Sequence, residues 1–340
     1  MRWWEDAARE MDDKWDRFFG EFIPGLRQKL GRSLGLGTGS TIAFAPNTHE
    51  LVNRVFSALT PPVAIVTTAA EFHSFERQAR RWEEAGWASV TRVEAEPFAT
   101  FVERFVDSAH GASLVYLSQV FFDSGYVVPD LAEVVARLPV DATVIVDGYH
   151  SFGARPVDLG RIAERAFFVA GGYKYAMAGE GAAFMHCPPG QLERPVDTGW
   201  YAGFGALTQR VEEVGYGRGG DRFWGATQDG SGLYRLDGVL DLLDTQGLDA
   251  AAISKHVIGL QQRFLATAPE LGELLPPLAF ERGSFLTFRR PDAESVHRRL
   301  HHQGVVTDYR GDRLRIGFGI YHDPADVDRL VSVIAAVSRD

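Results

Sequence analysis

The chain has 340 residues, 45% of them apolar and 24% charged, with a formal net charge of −10. That length suits one large domain with a smaller companion, and the composition is that of a globular chain able to bury a sizeable core. The acidic balance argues against a dedicated nucleic-acid or anionic-membrane binder, and no apolar run reaches the roughly 20 residues of a membrane span.

The single cysteine, Cys187, rules out an intramolecular disulfide and points to a cytoplasmic chain. The first twenty residues carry acids throughout and lack the basic start and apolar run of a secretory signal. Within residues 1–31, Trp3, Trp4, Ala7, Met11, Trp15, Phe18 and Phe19 recur at helical spacing. Such a stripe predicts a docking face, so residues 1–40 are expected to be a helical segment that packs on the body, on a small domain or on a dimer partner.

From about residue 41 the pattern alternates between short β-branched runs and helical stretches. Predicted strands are Thr41–Phe44, Val63–Val66, Ser89–Val93, Leu114–Ser118, Thr143–Val146, Ala166–Ala170 and Ala182–His186. Predicted helices are His49–Leu59, Ser74–Ala85, Pro97–Ala109 and Pro129–Leu138. This alternation implies an α/β domain over 41–240, with a mainly parallel sheet covered by helices on both faces. The Gly-rich stretches Gly215–Gly220 and Thr227–Gly232 read as ordered loops that line a site or an interface. Residues 241–340 form a smaller α/β domain, with helical Asp241–Ala268, strands Phe285–Phe288 and Leu314–Gly317, and helices Ala293–Gln303 and Pro324–Val337. The run His297–His302 reads as a solvated helix face, because no companion ligand set accompanies it for a metal.

Ligands of such sheets bind beyond the carboxyl ends of the strands. There, Asp147-Gly148-Tyr149-His150 follows one strand and Gly171-Gly172-Tyr173-Lys174 follows the next. Taken singly, an Asp after a strand is most often a turn or helix cap, and such a Lys is usually solvated. Together they suit a cofactor with a pyridine ring. A carboxylate keeps the ring nitrogen protonated, a lysine forms a Schiff base with the cofactor aldehyde, and a histidine over the ring can stack and hydrogen-bond.

The string Asp147-x-x-His150-x-x-Gly153, followed by Gly172-Tyr173-Lys174-Tyr175, resembles the class V aminotransferase superfamily, and within it kynureninase. The resemblance covers roughly residues 40–210 well and the C-terminal domain more faintly. It implies the fold-type I architecture and pyridoxal 5′-phosphate as cofactor. It makes Lys174 the Schiff-base lysine, Asp147 the partner of the pyridine nitrogen, and His150 a neighbour of the cofactor oxygen. Tyr173 would reach the phosphate and could relay a proton. Phe72, otherwise readable as a core residue, would stack on the ring. Asn47 and Thr48, otherwise an ordinary helix start, would hold the phosphate, and Ser118 would lie close to the cofactor. Trp200 and Thr227 would reach the phosphate from the other subunit, which implies a homodimer with shared active sites. Arg315 would grip the α-carboxylate of an amino-acid substrate, with Arg313 as the competing choice. No metal is implied.

The departures fall in the substrate half. Ala178-Gly179-Glu180-Gly181 stands where kynureninases carry a proline-containing Gly-rich string, and Ala202-Gly203-Phe204 where a histidine follows the Gly-Trp-aromatic motif. Gln228 and Asp229 replace prolines, and Phe75 stands where an acid is expected. The resemblance thus implies kynureninase-like hydrolytic cleavage of a side-chain carbon–carbon bond, or alternatively amino-group transfer to a 2-oxo acid. A non-catalytic binding protein is the third reading. Cysteine desulfurisation lacks a nucleophile, since Cys187 closes a core strand.

Overall fold

The computed structural model describes residues 2–206 and 212–337. Seven strands build the large sheet: β1 (Ile42–Ala45), β2 (Val63–Thr68), β3 (Ala88–Val93), β4 (Leu114–Ser118), β5 (Thr143–Asp147), β6 (Ala166–Gly171) and β7 (Ala183–His186), in the order β1-β7-β6-β5-β4-β2-β3. The ladders joining β3, β2, β4, β5 and β6 are parallel, while β7 runs antiparallel to both β6 and β1. β4, β5 and β6 are buried along their whole length, as expected of strands covered on both faces. β3 at the edge alternates in exposure, the period-two signature of a strand wet on one side.

The aromatic stripe of the first segment packs on the large body, the first of the three surfaces expected for it. Trp3 meets Tyr234 at 5.7 Å, Phe22 stacks on Tyr234 at 3.9 Å, and Phe19 meets Trp224 at 5.8 Å. Asp6 accepts the Tyr234 hydroxyl at 2.7 Å, fastening a polar atom inside the same contact. Trp4 and Met11, two members of the stripe, face outward instead. Met11 has φ 48°, so the helix register breaks there and later aromatics are re-aimed. The Gly215–Gly220 loop leads into a short helical turn, Gly219–Phe223, laid against β1. Gly220 donates to Ser40 O at 2.9 Å, and a Cβ on Gly220 would meet the Ile42 backbone, so only glycine allows the approach.

The predicted helix Asp241–Ala268 is two helices, Ser231–Thr245 and Ala250–Thr267. Gly247 at φ 64° ends the first, and Asp249 caps the second by accepting from Ala252 N at 2.7 Å. The small domain carries a four-stranded antiparallel sheet of β8 (Glu273–Leu275), β9 (Phe285–Arg289), β10 (Asp308–Arg310) and β11 (Arg313–Gly317), in the order β10-β11-β9-β8. Its core, built around Phe264, Leu286, Leu300, Leu314 and Ile334, is separate from that of the large domain. A tight turn through Gly311 (φ 58°) joins β10 to β11 and carries Arg315 back toward the carboxyl edge of the large sheet. Arg313 ties the two parts together through Asp123 and Glu96.

Candidate active site

β5 and β6 are hydrogen-bonded neighbours, so Asp147 and the Gly171–Lys174 turn emerge side by side. Gly148 follows Asp147 under the ring of Phe168, where any Cβ would collide with that ring. A Cβ on Gly171 would lie 2.7 Å from Tyr149 Oη. These glycines let the two turns pack close enough to share one cleft.

Asp147 is buried. Its Oδ1 accepts Tyr149 N–H at 2.8 Å and its Oδ2 accepts the Tyr116 hydroxyl at 2.6 Å. Burial raises its pKa, and the two hydrogen bonds with Lys174 nearby work against that rise. Lys174 Nζ lies 2.8 Å from His150 Nε2, 5.2 Å from the Phe72 ring centre and 5.5 Å from that of Tyr149. Burial pulls the Lys174 amine down to about 8; Asp147 opposes this, while Arg315 and Arg310 add to it. Burial also holds His150 well below its ordinary value, with Lys174 and Arg315 contributing. A neutral His150 accepts from Lys174 at Nε2, which puts its proton on Nδ1, a buried atom with no partner among the described residues.

Asn47 caps the helix Thr48–Ser57, accepting Glu50 N–H at 3.0 Å. This leaves the other first-turn N–H groups and the positive end of the helix dipole for an anion. Asn47, Thr48, Phe72, Ser118, Asp147, His150, Tyr173, Lys174 and Arg315 line a single cleft of about 1420 Å³. A second cavity of about 940 Å³ shares His150, Lys174 and Arg315 with it, and its further walls include Tyr175, Met177, Val306, Phe318 and Leu330.

The two arginines differ in their partners. Arg313 is committed to Asp123 and Glu96. The Arg315 guanidinium lies 4.4 Å from the Phe285 ring centre and 5.8 Å from that of Phe122. Asp308 Oδ2 accepts from its Nη1 at 3.0 Å, and its buried Nε has no partner among the described residues. Arg315 is therefore the arginine with donors left for a carboxylate.

Trp200 and Thr227 are not in the cleft of their own chain. Trp200 Nε1 donates to Thr227 Oγ1 at 3.0 Å, beside Trp15 and Tyr201. Among the residues that sequence reasoning missed are Tyr149 and Asp308 in the wall of the cleft and Glu71 and Tyr116 behind it. Tyr116 and Ser118 share a face of β4, and that period of two was the available sign for Tyr116. Phe75, which replaces the expected acid, stacks flat on Tyr116 at 3.6 Å. Among the described residues no cluster of His, Cys, Asp or Glu could hold a metal.

This donor set fits a phosphorylated pyridine aldehyde. It offers an amine of lowered basicity, a buried carboxylate, a half-exposed aromatic face, an imidazole against the amine and a helix N-terminus, all in the wall of one cleft.

Comparisons with known proteins agree with this picture. The kynureninase C-terminal domain family matches residues 252–334. A kynureninase of Deinococcus radiodurans is 32% identical over 257 residues, covering 72% of this chain and 61% of that protein. The match thus spans about three-fifths of that relative's length. An isopenicillin N epimerase of Streptomyces clavuligerus is 27% identical over 372 aligned residues, 98% of this chain and 89% of that protein. The solved structure of the cystine C–S lyase C-DES with cysteine persulfide superposes with a TM-score of 0.82 at 19% identity, covering 98% of this chain and 92% of that one. At that identity the likeness concerns the fold, which is the one expected from the sequence.

Proposed function

Starting from a chain that belongs to the class V aminotransferase superfamily and is similar to kynureninase, we propose that it is a pyridoxal 5′-phosphate enzyme that hydrolytically cleaves a side-chain carbon–carbon bond of an amino acid. When bound, the cofactor supplies an electron sink that weakens the bonds of the substrate Cα.

The residues divide the remaining work. Lys174 Nζ is the amine for the cofactor aldehyde and, once released, the carrier of the Cα proton. With burial lowering it to about 8, a useful fraction is neutral near pH 7.5. Asp147 holds the negative charge that faces the pyridine nitrogen, and Tyr116 and Tyr149 N–H fix its two oxygens. Phe72 would stack on the ring, His150 would lie beside the cofactor with Nε2 turned toward Lys174, and Ser118 would sit close to it. Asn47, Thr48 and Tyr173 would hold the phosphate. Arg315 binds the substrate α-carboxylate through its fork, taking over from Asp308.

One observation supports this reading through the substrate. The second cavity shares Lys174 and Arg315 with the cleft, and its further walls mix apolar side chains such as Val306, Phe318 and Leu330 with polar ones such as Gln303, His322 and Asp326. At about 940 Å³ it has room for a bulky substrate side chain that carries both apolar and polar parts. The epimerase relative supports a second reading, because its match runs over 98% of this chain. Epimerisation, amino-group transfer and side-chain hydrolysis all begin with the same proton removal by Lys174. Desulfurisation through a thiolate is disfavoured, since burial pushes the Cys187 thiol up to about 12.

We further propose a homodimer in which Trp200 and Thr227 of each protomer complete the phosphate site of its partner, outside the cleft of their own chain. A cytoplasmic location suits the single buried thiol. No helix among the described residues is long and apolar enough to cross a membrane. The test is to incubate the loaded enzyme with single amino acids, L-kynurenine included, and analyse the products. Side-chain cleavage without a 2-oxo acid acceptor supports the hydrolase; a requirement for such an acceptor, or loss of optical activity alone, would replace it.

A further inference from the structure

Glu71 lies three residues past the end of β2 with 4% exposure and is not a wall of the cleft. Its Oε1 accepts the Thr68 hydroxyl at 2.9 Å and Ser118 N–H at 3.0 Å, and its Oε2 meets the Ser118 hydroxyl. The charged group that faces it is Asp147, also an acid. Tyr116, packed between β2 and β5, spends its hydroxyl on Asp147. Two buried carboxylates side by side repel, so one of them keeps a proton. Asp147 has Lys174 nearby and two donors of its own. Among the described residues Glu71 has no cation paired with it, and burial pushes it up to about 8.

A serine hydroxyl has one hydrogen. An ionised Glu71 would consume it, whereas a neutral Glu71 can give its own hydrogen to Ser118 Oγ. We propose that Glu71 is a positioning residue that holds a proton and donates it to Ser118, so that the Ser118 hydroxyl turns its hydrogen into the cleft toward an oxygen of the bound cofactor. This rests on the functional reading above. It gives Ser118 a fixed polarity that a free hydroxyl rotor lacks, without placing a charge next to Asp147.

The experiment has two parts. In cofactor-free protein at neutral pH, the infrared difference between wild type and Glu71→Gln should contain the carbonyl band of a neutral carboxylic acid. Titration of both with pyridoxal 5′-phosphate should then give dissociation constants within about threefold below pH 7, because the amide donates to Ser118 as the acid does, while Ser118→Ala binds about tenfold more weakly. Above pH 8 the wild type should lose affinity relative to Glu71→Gln, a trend that simple loss of packing would not produce. Absence of the band, or a Glu71→Gln affinity as low as that of Ser118→Ala below pH 7, overturns the proposal alone. A wild-type chain that captures no pyridoxal 5′-phosphate overturns the functional reading as well.

Discussion

The Tyr116 hydroxyl stands 2.6 Å from Asp147 Oδ2, and the Tyr116 ring lies flat against Phe75 at 3.6 Å. The stack fixes the ring, and the ring aims the hydroxyl. Tyr116→Phe keeps the stack and removes only the hydrogen bond to a charged group, which is worth about 1.5–3 kcal/mol. The variant should fold normally and bind pyridoxal 5′-phosphate about tenfold or more weakly, measured by absorbance titration. Unchanged affinity would mean that Asp147 does not depend on this donor.

Arg315 and Arg313 should separate in kinetics and stability. Arg315→Lys keeps the charge and loses the fork, so kcat/KM for the amino-acid substrate should fall about 10–100-fold with cofactor affinity unchanged. Arg313→Gln breaks the ties to Asp123 and Glu96 and should lower Tm by a few degrees while leaving KM near that of wild type. The reverse pattern would move the carboxylate site to Arg313.

The lowered Lys174 amine sets the pH dependence of cofactor capture. Only the neutral amine is nucleophilic, so the capture rate of cofactor-free protein should climb with pH and level off just above 8. A climb continuing toward 10.5, the ordinary lysine value, would show that the site does not desolvate the amine.

Glu71 gives a matching stability trend. Its folded-state value, about 8, lies above its ordinary 4.5, so the folded chain binds the extra proton between those values. That contribution is fully present below 4.5 and is lost as pH rises through 8. The Tm of Glu71→Gln relative to wild type should therefore increase from pH 5 to pH 9 in cofactor-free protein. A difference independent of pH would assign Glu71 an ionised state throughout.

Much of the site was readable because its chemistry sits at strand ends. β4, β5 and β6 are continuous apolar runs, so their ends were visible, and with them Ser118, Asp147 and Lys174. Arg315 was legible as a residue and ambiguous as a choice, since the strand pattern treats Arg313 alike; only the commitment of Arg313 to Asp123 and Glu96 separates them. Glu71 was hidden for a physical reason. A lone acid before an aromatic reads as a solvated turn, and its burial depends on Thr68 and Ser118, which chain folding brings to it. The break at Gly247 was missed because Leu243 and Leu248 continue an apolar spacing across it, and the short polar strand β10 lacks an apolar period altogether.

The claim beneath all of this is that Lys174 Nζ carries the cofactor. The chain has four lysines, Lys14, Lys29, Lys174 and Lys255, so borohydride reduction after incubation with pyridoxal 5′-phosphate, followed by peptide mass spectrometry, can resolve them. The account predicts stoichiometric labelling of the Lys174 peptide and its loss in Lys174→Ala. Label spread over Lys14, Lys29 and Lys255, or absent from Lys174, would contradict it.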